Sequence, residues 1–234
     1  MTAIYKREMR GYFTTPIAYI LAAVFSAASA LLFCVCTLQS QTSDSSLYFQ
    51  LLMYVYIIIT ALLTMKSFSE EKRSRTEQLL LTSPVSLTGM VLAKFFAALT
   101  LFASTLVLTI PYFCVLAAYS DPNWAKIIGC TVVILLIGSC FIAVGLFMSS
   151  LTENQFVAAI RTIAVLCGLV MTSILNNVIN FYPVRVILSW ISIYARFANF
   201  TYGIFDIPAA VYYVSVCAVF IFLTVRVYEK RRYA

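Results

Sequence analysis

Six long apolar runs divide this sequence, at about residues 16–38, 47–65, 90–119, 127–149, 155–178 and 208–226. Each reaches the roughly 20 residues that a helix needs to cross the hydrocarbon core of a bilayer. In that medium a spanning segment must satisfy its own backbone hydrogen bonds, so separate runs of this length are expected to be helices. The expected fold is therefore all-α and integral to a membrane, with six transmembrane helices. Composition agrees: 62% of the 234 residues are hydrophobic and 11% are charged, where a soluble domain carries about 25% charged residues. The spans take up so much of the chain that no separate soluble domain fits between them. Pro111 predicts a kink near the outer end of the third span.

The basic residues set an orientation. Lys6, Arg7, Arg10, Lys66, Lys72, Arg73, Arg75, Lys94, Arg161, Arg226, Lys230, Arg231 and Arg232 flank one set of span ends, and Lys126, Arg185 and Arg196 the other. Thirteen against three puts the first set in the cytoplasm. Both termini then face the cytoplasm, as an even number of spans requires. The net charge of +7 is distributed as these flanks, not as a contiguous patch, so no nucleic-acid partner is expected. The run after the basic start is too long for the core of a signal peptide and reads as a true span.

Several chemistries drop out early. The chain has no histidine, which removes His-based acid–base catalysis, most zinc sites and histidine proton relays. Cys34, Cys36, Cys114, Cys130, Cys140, Cys167 and Cys217 all lie in apolar runs without CxxC spacing, and buried cysteine behaves as a small hydrophobe. No metal ligand set is predicted. Asp44, Asp121 and Asp206 fall in outer segments, leaving no paired carboxylates inside the membrane for an intramembrane enzyme. Ion-coupled transport usually needs intramembrane ionisable groups, and the span centres hold no carboxylate. Arg161, two turns into the fifth span, is placed to snorkel to the inner surface. A secondary transporter or channel is thus the alternative reading. ATP is the other common energy source, yet the chain has no GxxxxGK[ST] phosphate loop. Any ATPase must be a partner that pushes on an inner loop.

Three connecting segments carry further signals. In residues 2–13, Tyr5, Met9, Tyr12 and Phe13 share one helical face beside Lys6, Arg7 and Arg10, which predicts a helix lying in the membrane interface. Within 66–94, Ser67 and Glu70 fit a capping box. They predict a separate charged helix at about 69–81, with Glu70 and Glu71 in its first turn and Pro84 beyond its end. The outer segment 179–207 is too polar for a span and too apolar for a free loop, which predicts short helices dipping into the outer leaflet.

From Phe68 to Val85 the chain reads FSEEKRSRTEQLLLTSPV. This closely resembles the signature of ABC-2 type transporter permeases: an acidic pair, a basic pair, Ser-Gly-Thr, then a Leu-rich stretch ending in Ser-Pro. The stretch KREMRGYFTTPIAY from Lys6 to Tyr19 is similar to that family's N-terminal interfacial helix. SSLTENQ from Ser149 to Gln155 is similar to its turn between spans four and five. The run from Phe197 to Arg226 resembles the gliding-motility-type subgroup. Arg75 stands where relatives commonly have glycine; arginine favours helix there and adds charge.

The resemblance implies one ABC-2 type transmembrane domain over residues 1–234, with an interfacial helix at 1–15, a cytoplasmic coupling loop at 66–94 and outer re-entrant helices at 179–207. It implies the permease subunit of an ATP-driven exporter in a prokaryotic cell membrane. Two cytoplasmic ATPase subunits and a second permease, identical or related, would be its partners, with room for an accessory extracytoplasmic subunit. This chain would bind no cofactor; ATP and Mg would sit in the ATPase. Glu70, Glu71, Lys72, Arg73, Arg75, Thr76, Glu77 and Gln78 would contact the ATPase mechanically, with no catalytic residue among them. In the family, spans two and five meet their symmetry mates, so Tyr54, Tyr56, Thr60, Thr64, Thr172, Asn176, Asn177 and Asn180 are pathway candidates. The other reading of these polar residues is interhelical hydrogen bonding in ordinary packing. A pathway this apolar suits a lipid-like, peptide or other amphipathic substrate.

Overall fold

The computed structural model describes residues 2–74, 86–178, 192–203 and 206–232. Among the described residues all regular structure is helical, and six helical segments are long and apolar enough to cross a membrane. Helix α1 (Thr2–Thr14) precedes the first span, α2 (Ile17–Phe33), which runs on as a π-helical turn, Cys34–Leu38. The second span is α3 (Ser46–Arg73). The third is broken into α4 (Leu87–Val107) and α5 (Ile110–Tyr119). Spans four and five are α6 (Trp124–Leu151) and α7 (Gln155–Val178). A short α8 (Ile193–Thr201) leads to the sixth span, α9 (Ile207–Arg232).

Helix α6 is the centre of the bundle and packs on α3, α4, α7 and α9. Its small residues let neighbours approach, the usual way helices associate where lipid removes the hydrophobic driving force. A Cβ at Gly138 would overlap the Phe102 ring, and one at Gly145 would overlap Thr64. The break before Pro111 works similarly for the third span. Proline lacks a donor and sits near the start of α5. The redirected segment places Phe113 against Phe33, Tyr48 and Phe49, while the Tyr112 hydroxyl donates to the Ser26 carbonyl at 3.1 Å.

Two connections at one end are pinned together. Asn123 caps α6 by accepting from the Lys126 N–H at 3.3 Å, and the Lys126 ammonium reaches Asp44 at 2.7 Å. Asp44 also accepts from the Ser46 N–H and hydroxyl at the start of α3. At the same end α8 buries Ile193, Phe197 and Phe200 against α6 and α7. The Tyr213 hydroxyl holds its first turn through the Ile193 carbonyl at 2.9 Å. The remainder of the 179–207 segment lies largely outside the described residues.

One local expectation is corrected. Ser67 does not cap a new helix: α3 continues unbroken to Arg73, and Ser67 lies buried inside it. Packing of Phe68 and Ser69 against the rest of the bundle overrides the local capping signal, and the cap of the next helix among the described residues is Ser86, which accepts from Gly89 N–H. The aromatic face of α1 also meets protein. Tyr5 donates to Thr100 at 3.4 Å, Thr100 donates to the Met9 sulfur at 3.2 Å, and Tyr12 packs against the core. Phe13 alone of that aromatic set is well exposed.

A candidate coupling surface at the basic end of the bundle

Helix α3 ends in SEEKR, and its last turns are held from four directions. Lys94, about two turns into α4, has a side chain only 1% exposed. Its ammonium lies 2.8 Å from Glu71, 3.2 Å from Glu8 on α1, and donates to the Ser67 carbonyl at 2.7 Å. The Phe68 ring stands 5.0 Å below it. Arg7 closes the network, pairing with Glu8 at 2.9 Å and Glu71 at 3.0 Å. A buried charge survives only when paired and hydrogen-bonded, and this one has both. Partial burial works against the Arg7 charge, but the Glu8 hydrogen bond and the two carboxylates outweigh it and raise the Arg7 pKa. Burial, reinforced by the same carboxylates, also raises the Tyr12 pKa and keeps that phenol neutral.

The α6 and α9 ends grip the opposite side. The Ser149 hydroxyl accepts from the Phe68 and Ser69 N–H groups, both at 3.2 Å, and Ser69 donates to the Met65 carbonyl. Phe68 packs on Tyr228 with ring centroids 5.0 Å apart. Lys72 pairs with Glu153 at 3.1 Å in the turn before α7. Arg231 donates to the Ser150 carbonyl at 2.7 Å. The end of α3 thus contacts α1, α4, α6 and α9 directly.

The candidate coupling residues divide by environment. Glu70 and Arg73 are exposed; Glu71 and Lys72 turn inward to their partners. Arg75, Thr76, Glu77 and Gln78 lie outside the described residues. The pathway candidates divide too. Tyr56 is enclosed between Phe25 and Phe102 and shares a 3.4 Å hydrogen bond with Thr105. Thr60 and Thr64 are fully buried and bond back to the Tyr56 and Thr60 carbonyls. Within this chain those three serve packing against α2, α4 and α6, because their i, i+4 stripe faces the bundle centre. Tyr54 is exposed, Thr172 is half-buried, and the Asn176 side-chain amide oxygen is buried with no hydrogen-bond partner among the described residues. The Asn177 side chain and Asn180 lie outside the description.

Sequence reasoning missed Glu8 and Lys94 as a pair. The signal was present: Glu8 lies on the Tyr5, Met9 and Tyr12 face by i, i+3 and i, i+4 spacing. Lys94 follows the start of an apolar run and therefore needed a carboxylate.

Residues 35–227 match the family model for the ABC-2 family transporter protein. No curated protein matches the chain.

Proposed function

We infer the function from one premise: the chain belongs to the ABC-2 transporter family. Membership makes it a multi-pass membrane permease subunit of an ABC transporter, with ATP hydrolysis in a separate subunit. Such a chain works with an ABC ATPase and usually with a second permease.

The finer reading is that this permease exports an amphipathic, lipid-like or peptide substrate from a prokaryotic cytoplasm, with both termini cytoplasmic. Two ATPases carrying ATP and Mg dock beneath a pair of permeases, identical or related; the resemblance to the gliding-motility-type subgroup belongs to this reading. The ATPase seats on the segment that leaves α3, contacting Glu70, Arg73 and the residues from Arg75 to Gln78. Closure of the ATPases tilts the end of α3. The inward pairs of Glu71 and Lys72 pass that tilt to α1, α4 and the α6–α7 turn. Helix α1 rides in the membrane interface and the 179–207 segment caps the pathway from outside. The observation that carries this reading is the division at the end of α3, where exposed Glu70 and Arg73 flank anchored Glu71 and Lys72. That suits a lever with one face for a partner and one for its own bundle.

ATPase turnover of the purified complex in lipid, measured with a panel of lipids, amphipathic peptides and inorganic ions, tests the substrate class. Stimulation by amphipaths is expected. Stimulation by ions alone would overturn it in favour of an ion pathway.

A further inference from the structure

The basic end of the bundle holds more cations than its own carboxylates pair. Among the described residues, Glu8 and Glu71 are taken by Arg7 and Lys94, Glu153 by Lys72 and Glu229 by Arg226. Arg231 is bound to the Ser150 carbonyl. Glu70 is the described acid left over at this end, and it is exposed with Arg73 at the end of α3. Lys6, Arg10, Lys66, Arg161 and Lys230 have no ion pair among the described residues. Arg161 is the most exacting case. It is exposed on α7 among Val157, Ile160 and Ala164, which are exposed too, and the helix carries no acid. An unpaired arginine on a lipid-facing apolar helix is costly at the centre of a bilayer, so its depth decides what it meets.

The helices give that depth. From Ser46 to Lys66 helix α3 rises about 30 Å, and from Ile207 to Arg226 helix α9 rises about 29 Å. Each matches the roughly 30 Å of a hydrocarbon core, and each helix then runs on by about 10 Å. The Phe68 and Tyr228 rings, two residues past these cations, meet with centroids 5.0 Å apart, so the two levels coincide. The Lys72–Glu153 pair sets the α6–α7 turn at the foot of this extension. Arg161 lies about 9 Å up α7 from Gln155, back at the level of Lys66. Helix α1 reaches the same rim through Glu8 and Lys94. Its Lys6 and Arg10 are exposed one turn apart, and the exposed Phe13 and Tyr19 rings pack edge to face at the entry to α2. Aromatic rings gather at the membrane–water interface.

We propose that this rim is a binding surface for anionic phospholipid headgroups. Arg161 on α7, Lys66 on α3, Lys6 and Arg10 on α1 and Lys230 on α9 stand at or within side-chain reach of one headgroup layer. The lipid supplies the negative charge that the chain lacks there. A zwitterionic lipid brings its own cation and leaves the excess in place, whereas a lipid of net negative charge removes it. Basic residues beside a span are attracted to anionic leaflets for this reason. The surface is independent of the transported substrate and of the seat of the ATPase.

The test is titration of the purified complex in detergent with phosphatidylglycerol or phosphatidylethanolamine, followed by native mass spectrometry. Phosphatidylglycerol is expected to bind at least about fivefold more tightly, the scale of one cation near an anionic surface. Arg161→Ala weakens it about fivefold and Arg161→Lys restores it. Lys6→Ala combined with Arg10→Ala, an exposed pair on a different helix, weakens it as well and gives a second reading if α7 tolerates substitution poorly. Equal affinity for the two lipids, or phosphatidylglycerol binding unchanged in the Arg161→Ala and α1 variants, would overturn the surface. Loss of permease pairing in Arg161→Ala with lipid affinity unchanged would assign that arginine to a protein contact and overturn its lipid role.

Discussion

Glu70 and Glu71 are adjacent acids with opposite duties. Glu71 neutralises a lysine whose side chain is 1% exposed, so removing it leaves a buried charge short of a partner. Glu8 still touches Lys94, which places the expected loss for Glu71→Ala near the low end of the roughly 3–5 kcal/mol for a broken buried pair. Glu70→Ala, at the exposed position, is expected to stay within about 0.5 kcal/mol. Thermal unfolding of the purified protein in detergent separates the two. Gly145 makes a second residue-level case. Gly145→Val would drive methyl groups into Thr64 and is expected to destabilise by about 1–3 kcal/mol, read by the same unfolding measurement. The acidic pair was legible in the sequence as a motif. Its division of labour was not, because it depends on the rotation of α3 against α1 and α4, which spacing within one segment does not determine.

At the scale of elements, all six spans were legible because hydrophobic length is a strong signal. Their ends were not. The second span extends from the expected 47–65 to Ser46–Arg73, since a charged helical tail can continue wherever the bundle supplies partners such as Ser149 and Glu153. The π-helical turn at Cys34–Leu38 left no mark in composition; there the Gln39 N–H reaches back to the Cys34 carbonyl at 2.8 Å. The Asp44 clip joins the starts of α3 and α6 and has a pH signature. Partial burial raises the Asp44 pKa, but the Lys126 and Ser46 hydrogen bonds outweigh it and hold it below the ordinary aspartate value. A carboxyl depressed in the folded state contributes stability that is full above its unfolded pKa, near 4, and is lost as pH falls through the lower folded value. Asp44 is 61% exposed at its side chain, so screening keeps the contribution small. Asp44→Asn is expected to abolish this part of the acid dependence and leave neutral stability nearly unchanged, as followed by unfolding between pH 3 and 7.

For the whole molecule, the bundle divides the labour by end. One end carries the Asp44–Lys126 clip and α8. The other gathers α1, the end of α3, Lys94, Glu153 and Arg231 into one connected set of polar contacts. Sequence charge counting located that second end and named its surface residues. The buried half of the same set, from Glu8 through Lys94 to Ser149, joins four helices that are far apart in the chain and becomes visible only once they pack. The account rests on force entering through the exposed face of α3 and leaving through its anchored face. The most direct measurement is ATPase association and substrate-stimulated turnover in the reconstituted complex carrying Arg73→Glu, beside thermal stability of the same variant. The account predicts near-native stability, association weakened about tenfold or more, and stimulation lost. Native association and stimulation with Arg73 reversed would contradict it.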